Sequence, residues 1–199
     1  MLRFVSQLIC CACALNALSC CDDQADSDHI GDMISGMQVE AGALSSSEEE
    51  RVWIDLVAGS EWSITPPELD PYEPSREGRT RCGVTDMGEE YGGIEISTTR
   101  CGHMTLTQPI RSDLQAGDLL EIVVWHSPLV SDTPAQGLMS VDLEEVTLWS
   151  ETLLIPNVAR SWTLTLEVTE SFAREAPLLF HVHNHGTNAY TLLSVKRGR

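Results

Sequence analysis

The sequence is poor in basic residues. Of its 199 residues, 12 are Lys or Arg and 30 are Asp or Glu, which gives a formal net charge of −18. Because the cations are so few, they cannot form a basic surface along which a phosphate backbone would bind. No nucleic acid partner is therefore expected. Long apolar runs are also lacking, because residues 4–18 are interrupted by Ser6, Gln7 and Asn16. That run is marginal for a permanent membrane span, which needs about 20 predominantly apolar residues.

Motifs of the common hydrolases are missing as well. The chain contains no G-x-S-x-G nucleophile elbow, no S-x-x-K and no H-E-x-x-H. A pair of carboxylates for glycoside hydrolysis leaves no local motif, because its two members can lie far apart in the chain. On this basis we predict that the protein is not an enzyme.

The first twenty residues have the layout of a signal peptide. Arg3 supplies a positive charge, an apolar stretch follows, and acids begin at Asp22. The segment Ala17-Leu18-Ser19-Cys20 resembles the lipobox of bacterial lipoproteins. This resemblance implies cleavage after Ser19, acylation of Cys20 and a lipid-anchored position at the bacterial cell envelope, on the outer membrane or a periplasmic face. Ordinary secretion is the alternative, since Ala17 and Ser19 also fit an A-x-A-like site.

Residues 20–50 differ from the rest of the chain in charge. From Asp22 to Glu50 they hold nine acids and no base, whereas residues 51–199 hold 21 acids and 11 bases. A one-sign, Gly- and Ser-containing segment without aromatic residues is typical of a disordered linker. The predicted organisation is therefore a signal peptide over 1–19, a lipid-anchored acidic linker over 20–50 and one domain over 51–199.

Only two of the seven cysteines, Cys82 and Cys101, lie in the predicted domain. In an oxidising compartment two such residues most simply form a disulfide. Zinc binding is the weaker alternative, because no C-x-x-C motif accompanies the pair.

The domain has the pattern of an all-β protein with about eight to ten short strands. Residues 161–168 alternate strictly, and residues 118–126 form a continuous apolar run that predicts a strand buried on both faces. The passages "IRSDLQAGDLLEIVVWHSPL" and "PLLFHVHNHGTNAYTLLSV" resemble strands of galactose-binding-like jelly rolls. This resemblance, over about residues 105–195, implies a β-sandwich or jelly roll and a carbohydrate- or surface-binding role.

The histidine row His181, His183 and His185 is the most unusual feature of the sequence. Alternate residues of a strand share a face, so these imidazoles are predicted to line one side of a sheet. Two of them could bind Zn or Cu if His126 or His103 on another strand completed the site. A solvated polar face without a metal is the alternative, and the sequence favours it.

An aromatic platform for a glycan is the second candidate site. Trp149 and Trp62 are predicted to face a ligand, while Trp53, Trp125 and Trp162 lie in apolar patterns typical of a core. The leading hypothesis is thus a non-enzymatic, envelope-anchored lipoprotein that binds a ligand or partner, glycan being the favoured class. A metal-handling protein and a structural component that contacts another envelope protein are the alternatives.

Overall fold

The computed structural model describes residues 51–72 and 80–199. The predicted signal peptide, the acylation of Cys20 and the acidic linker of residues 20–50 all lie outside the described residues, so they stay predictions.

Eleven strands form within the described ranges, slightly more than the sequence pattern predicts. They are β1 Trp53–Asp55, β2 Ser63–Ile64, β3 Met87–Glu90, β4 Gly93–Ser97, β5 His103–Pro109, β6 Leu119–His126, β7 Ala135–Leu143, β8 Val146–Ile155, β9 Arg160–Glu167, β10 Pro177–His183 and β11 Ala189–Gly198. Short 3₁₀ helices occupy Gly59–Glu61, Pro67–Leu69 and Val84–Asp86.

The strands form two antiparallel sheets. One has six strands in the order β3-β4-β11-β6-β9, with β1 paired to the far end of β11; the other has five strands in the order β2-β5-β10-β7-β8. The predicted all-β sandwich is confirmed. β10 and β11 follow each other in the chain but belong to opposite sheets, so the segment between them crosses the sandwich.

The core lies between the inward faces of the two sheets, as strand periodicity requires. Leu178, Phe180 and Val182 of β10 are fully buried from one side. From the other side Trp162, Leu164 and Leu166 of β9 pack against the core. The strict alternation of residues 161–168 therefore predicted the inward face of β9 correctly.

Strand β6 corrects one expectation. Its burial alternates along Leu119–His126 instead of being complete on both faces. Ile122 and Val124 enter the core, whereas Val123 and Trp125 stand on the outward face of the six-stranded sheet. The continuous apolar run misled the prediction because an apolar outward face looks the same in sequence as a second buried face.

The predicted disulfide between Cys82 and Cys101 is confirmed, with a Cα–Cα distance of 5.0 Å. The loop that it closes contains β3 and β4, an antiparallel hairpin at the edge of the six-stranded sheet. In the described ranges no helix is both long and apolar enough to cross a membrane.

Candidate functional site

The outward face of β10 carries the predicted histidine row, whose first member is covered while His183 and His185 are partly exposed. His181 is only 1% exposed, because the Tyr72 ring stacks on its imidazole with centroids 3.9 Å apart and planes 4° from parallel. His183 shares that face and lies opposite His103 in the register of β10 and β5. The His185 ring lies 5.4 Å from that of His183.

His126 does not join this row. It lies in the six-stranded sheet with its side chain in the core, where the ring packs near Trp162 and Tyr190. Burial lowers the pKa of His126, and its Nδ1 donates to the Ser127 carbonyl over 2.7 Å. In the described part of the chain no three His, Cys, Asp or Glu side chains converge as a metal-binding group. Zn or Cu binding has no support from the geometry and stays a prediction.

A polar network fixes the segment that covers His181. The Tyr72 hydroxyl donates to Asp142 Oδ2 over 2.8 Å, and Thr147 Oγ1 donates to Asp142 Oδ1 over 2.6 Å. Burial, together with the hydrogen bond and charge of Asp142, raises the pKa of Tyr72 to about 12. Because the network is internal, it holds the covering segment down and exposes no reactive group.

Thr105, His181 and Asp70 form a chain of hydrogen bonds beneath the same segment. Thr105 Oγ1 lies 2.8 Å from His181 Nδ1 and donates to Asp70 Oδ1 over 2.8 Å. The order differs from a nucleophilic triad, in which the histidine stands between the hydroxyl and the carboxylate. The Thr105 hydroxyl is also fully buried, so this chain serves the fold.

The two tryptophans predicted to face a ligand lie against the core. Trp62 is 8% exposed, and Trp149 packs on the core beside Trp162 with ring centroids 5.5 Å apart. The register of β7 and β8 shifts between Val141 and Asp142, so that Trp149 lies opposite the buried Val141. A β-bulge of this kind inverts the alternation downstream, which periodicity alone does not reveal.

The exposed aromatic side chains instead meet on the outward face of the six-stranded sheet. They border an open groove of about 410 Å³ with apolar walls, named here the aromatic groove, whose lining residues are Tyr91, Trp125, Ala159, Arg160, Ser161 and Leu193. The Arg160 guanidinium lies over the Trp162 ring, with its centre 4.6 Å from the ring centroid. The groove begins at the turn between β3 and β4 and runs across β11 and β6 to β9. At the usual spacing of strands its length is about 14 Å.

Tyr91 owes its position to the two-residue turn between β3 and β4. Tyr91 and Gly92 have φ angles of 51° and 82°, as a type I′ hairpin turn demands. A bulky residue with positive φ is uncommon, and such backbone is concentrated at functional sites. Tyr91 is nevertheless 81% exposed, so its ring contributes little to the core and is available to a ligand.

Glu90 and Glu95 stand beside this turn on the same outward face. Glu90 lies opposite Gly93 and Glu95 opposite Gly88, so the two glutamates are diagonal neighbours with no side chain between them. Burial raises the pKa of Glu95 to about 7, and the hydrogen bond and charge of Glu90 add to this rise. At pH 7 the Glu95 carboxyl is therefore about half protonated.

Sequence reasoning missed Tyr91, Trp125 and the carboxyl pair. The available signal was the run Glu89-Glu90-Tyr91-Gly92-Gly93 ahead of an alternating strand, which is typical of a hairpin turn. Its position beside Trp125 depends on the pairing of β4 with β11 and of β11 with β6. The first pairing joins residues almost a hundred positions apart and the second joins residues 64 to 79 positions apart, so neither has a local signature.

No protein-family model matches the chain, and no curated protein does. Among solved structures, the mannan-recognising carbohydrate-binding module TmCBM27 is 12% identical to this chain, with a TM-score of 0.46. The match covers 75% of this chain and 98% of the chain of that module. A CBM4 structure is 16% identical with a TM-score of 0.40, covering 69% and 86%. The K3 cleaved adhesin domain of Lys-gingipain from Porphyromonas gingivalis w83 is 9% identical with a TM-score of 0.43, covering 74% and 99%. At these identities and scores the likenesses carry no conclusion about this chain.

Proposed function

We propose that residues 51–199 form a non-catalytic glycan-binding domain and that the aromatic groove is its binding surface. The observation that carries this proposal is the pairing of an exposed Tyr91 with a half-exposed Trp125 across an open, apolar-walled groove. The C–H faces of a sugar ring gain dispersion contacts on such rings. Ser161 and the nearby carboxyl pair supply hydrogen-bonding groups at the edges for the sugar hydroxyls.

The arrangement of the carboxyl groups supports binding rather than hydrolysis. Glycoside hydrolases hold their two catalytic carboxyls about 5–9.5 Å apart, which leaves room for the sugar or for water. Glu90 and Glu95 instead come from the two strands of one hairpin and stand side by side on one sheet face. Both carboxyl groups therefore approach a sugar in the groove from the same side, which is not the arrangement of a catalytic pair.

The sequence motif Ala17-Leu18-Ser19-Cys20 adds a location to this proposal. Acylation of Cys20 would attach the chain to a bacterial envelope membrane, and residues 20–50 would link that anchor to the domain. In this arrangement the domain captures polysaccharide at the cell surface or in the periplasm.

Pull-down on insoluble polysaccharides (cellulose, chitin, xylan, mannan and peptidoglycan) followed by calorimetry with a soluble fragment tests the proposal. Replacing Tyr91 or Trp125 by Ala should weaken binding by about tenfold, equivalent to about 1.4 kcal/mol. Trp53→Ala is the matched control, because Trp53 is a half-exposed aromatic residue that does not line the groove. Equal losses in all three variants, or none in any, would contradict the assignment of the groove.

A further inference from the structure

We infer that the aromatic groove selects glycans that carry a protonated amino group, and that Glu90, Glu95 and Thr191 receive this ammonium. The inference rests on the proposed function and narrows its ligand class to amino sugars with a free amine.

The first step is the position of the three side chains. Across the six-stranded sheet, Glu95 lies opposite Thr191, and Thr191 lies opposite Trp125. Glu95, Thr191 and Trp125 therefore form a row across three neighbouring strands on the outward face of the sheet. At the usual strand spacing, Glu95 and Trp125 are about 10 Å apart. Glu90 immediately precedes Tyr91, so the carboxyl pair flanks the groove near both of its aromatic residues.

The second step is that this cluster has unused hydrogen-bonding capacity. The Thr191 side chain is 0% exposed although it stands on the outward face, and its Oγ1 has no hydrogen-bond partner in the described residues. Glu90 Oε2 is also buried, without a further partner there. Buried polar atoms are normally satisfied, so two unsatisfied ones beside the same carboxyl pair indicate a position for a ligand group.

The third step is the match between these atoms and an ammonium. A primary ammonium has three N–H donors and no acceptor. Two carboxyl groups and one hydroxyl offer it three acceptors. Calcium needs six to eight oxygen ligands, so three side chains supply too few for that ion.

Charge favours the same ligand. Partial protonation of Glu95 relieves the repulsion between the two carboxyl groups, and an ammonium can relieve it instead while the proton passes to the buffer. The nearest base along β11, Lys196, lies 3.9 Å from Glu121 rather than beside the pair. The Arg160 guanidinium lies over the core-facing Trp162 ring and 3.6 Å from Glu151 of the other sheet, so it is not beside the pair either.

Three trisaccharides with the same β-1,4 backbone separate ammonium recognition from sugar stacking. They are built from glucose, N-acetylglucosamine and glucosamine, and differ only in the group at C2. Calorimetry on the full chain at about 0.15 M ionic strength, which screens distant charges, should show glucosamine bound about tenfold tighter than glucose. Binding of the glucosamine trimer at pH 7 should also release up to about half a proton per site, visible as a dependence of the heat on the ionisation enthalpy of the buffer.

Glu95→Gln should remove both the tenfold preference for the glucosamine trimer over the glucose trimer and the proton release. Glu89→Gln is the control, because it deletes the same charge from the same hairpin on the opposite face. Thermal unfolding of each variant verifies that it folds.

The outcomes distinguish this inference from the proposed function. Glucose and glucosamine trimers bound equally well, with losses in Tyr91→Ala, would refute the ammonium site and retain glycan binding. An equal loss in Glu89→Gln and Glu95→Gln would also refute it, because the preference would then reflect the total charge of the protein. No binding of any trimer or polysaccharide would refute both.

Discussion

Removal of the Cys82–Cys101 disulfide has an effect on stability that the structure allows us to calculate. The two cysteines are 19 positions apart, so the bridge closes a loop of 20 residues. In the chain-entropy model such a loop stabilises the fold by about 3 kcal/mol, by restricting the unfolded chain. Cys82 is only 4% exposed, so the double variant Cys82→Ala/Cys101→Ala is preferable to serine, which would bury two hydroxyls.

Urea unfolding followed by tryptophan fluorescence measures this loss directly. The double variant should lose about 3–4 kcal/mol, including a small packing contribution, and its m-value should rise because the unfolded chain is freed from the cross-link. Labelling of native wild-type protein should find neither cysteine as a free thiol. A loss below about 1 kcal/mol with an unchanged m-value would refute the entropic reasoning, since the unfolded chain would then be equally restricted without the bridge.

Three further predictions concern titration and anchoring. The fold raises the pKa of Glu95 from 4.5 to about 7, so the protonated carboxyl stabilises the fold at acidic pH and this contribution is lost as pH rises through 7. In urea unfolding at alkaline pH, Glu95→Gln should therefore be more stable than wild type by about 1 kcal/mol, a figure reduced for solvent screening. Equal stability of the two proteins would contradict the raised pKa. Burial lowers the pKa of His126, so as pH falls the unfolded state takes up a proton before the folded state does. The stability of the fold should therefore decrease below about pH 6.5, by at most about 1.4 kcal/mol per pH unit. In thermal unfolding, His126→Phe should reduce this acid dependence, and an unchanged acid dependence would contradict the lowered pKa. Cys20→Ala should abolish partition into bacterial membranes, and mass spectrometry that finds an unmodified N-terminus in the wild-type protein would favour secretion instead.

Local alternation predicted much of the fold because each strand has to bury one face. Residues 161–168 are the clearest case: Trp162, Leu164 and Leu166 all pack inward as their spacing indicates. The cysteine pairing was equally predictable, since only Cys82 and Cys101 remained for the domain.

The binding surface was not predictable to the same degree, because it depends on register. A β-bulge at Leu148, next to Trp149 on the same strand, turns the Trp149 side chain inward, and no residue type in the sequence marks the bulge. Trp125 ends an apolar run whose outward side reads as core. Tyr91 approaches Trp125 only after β4, β11 and β6 pair, which is a long-range property of the chain.

The histidine row shows the same limit for a different reason. Periodicity placed His181 and His183 correctly on one face, but the covering Tyr72 comes from a loop more than a hundred residues earlier. A pattern within one strand determines which way a side chain points. It does not determine what packs on top of it.

The most direct test of the central claim is an NMR titration of the tryptophan indole N–H signals with a fragment of the bound polysaccharide. The Trp125 signal should shift progressively and saturate, because its ring borders the aromatic groove, whereas the signals of Trp62 and Trp149 should stay constant in the core. Saturable binding that leaves the Trp125 signal unmoved and perturbs the His181 face of the five-stranded sheet would contradict the account.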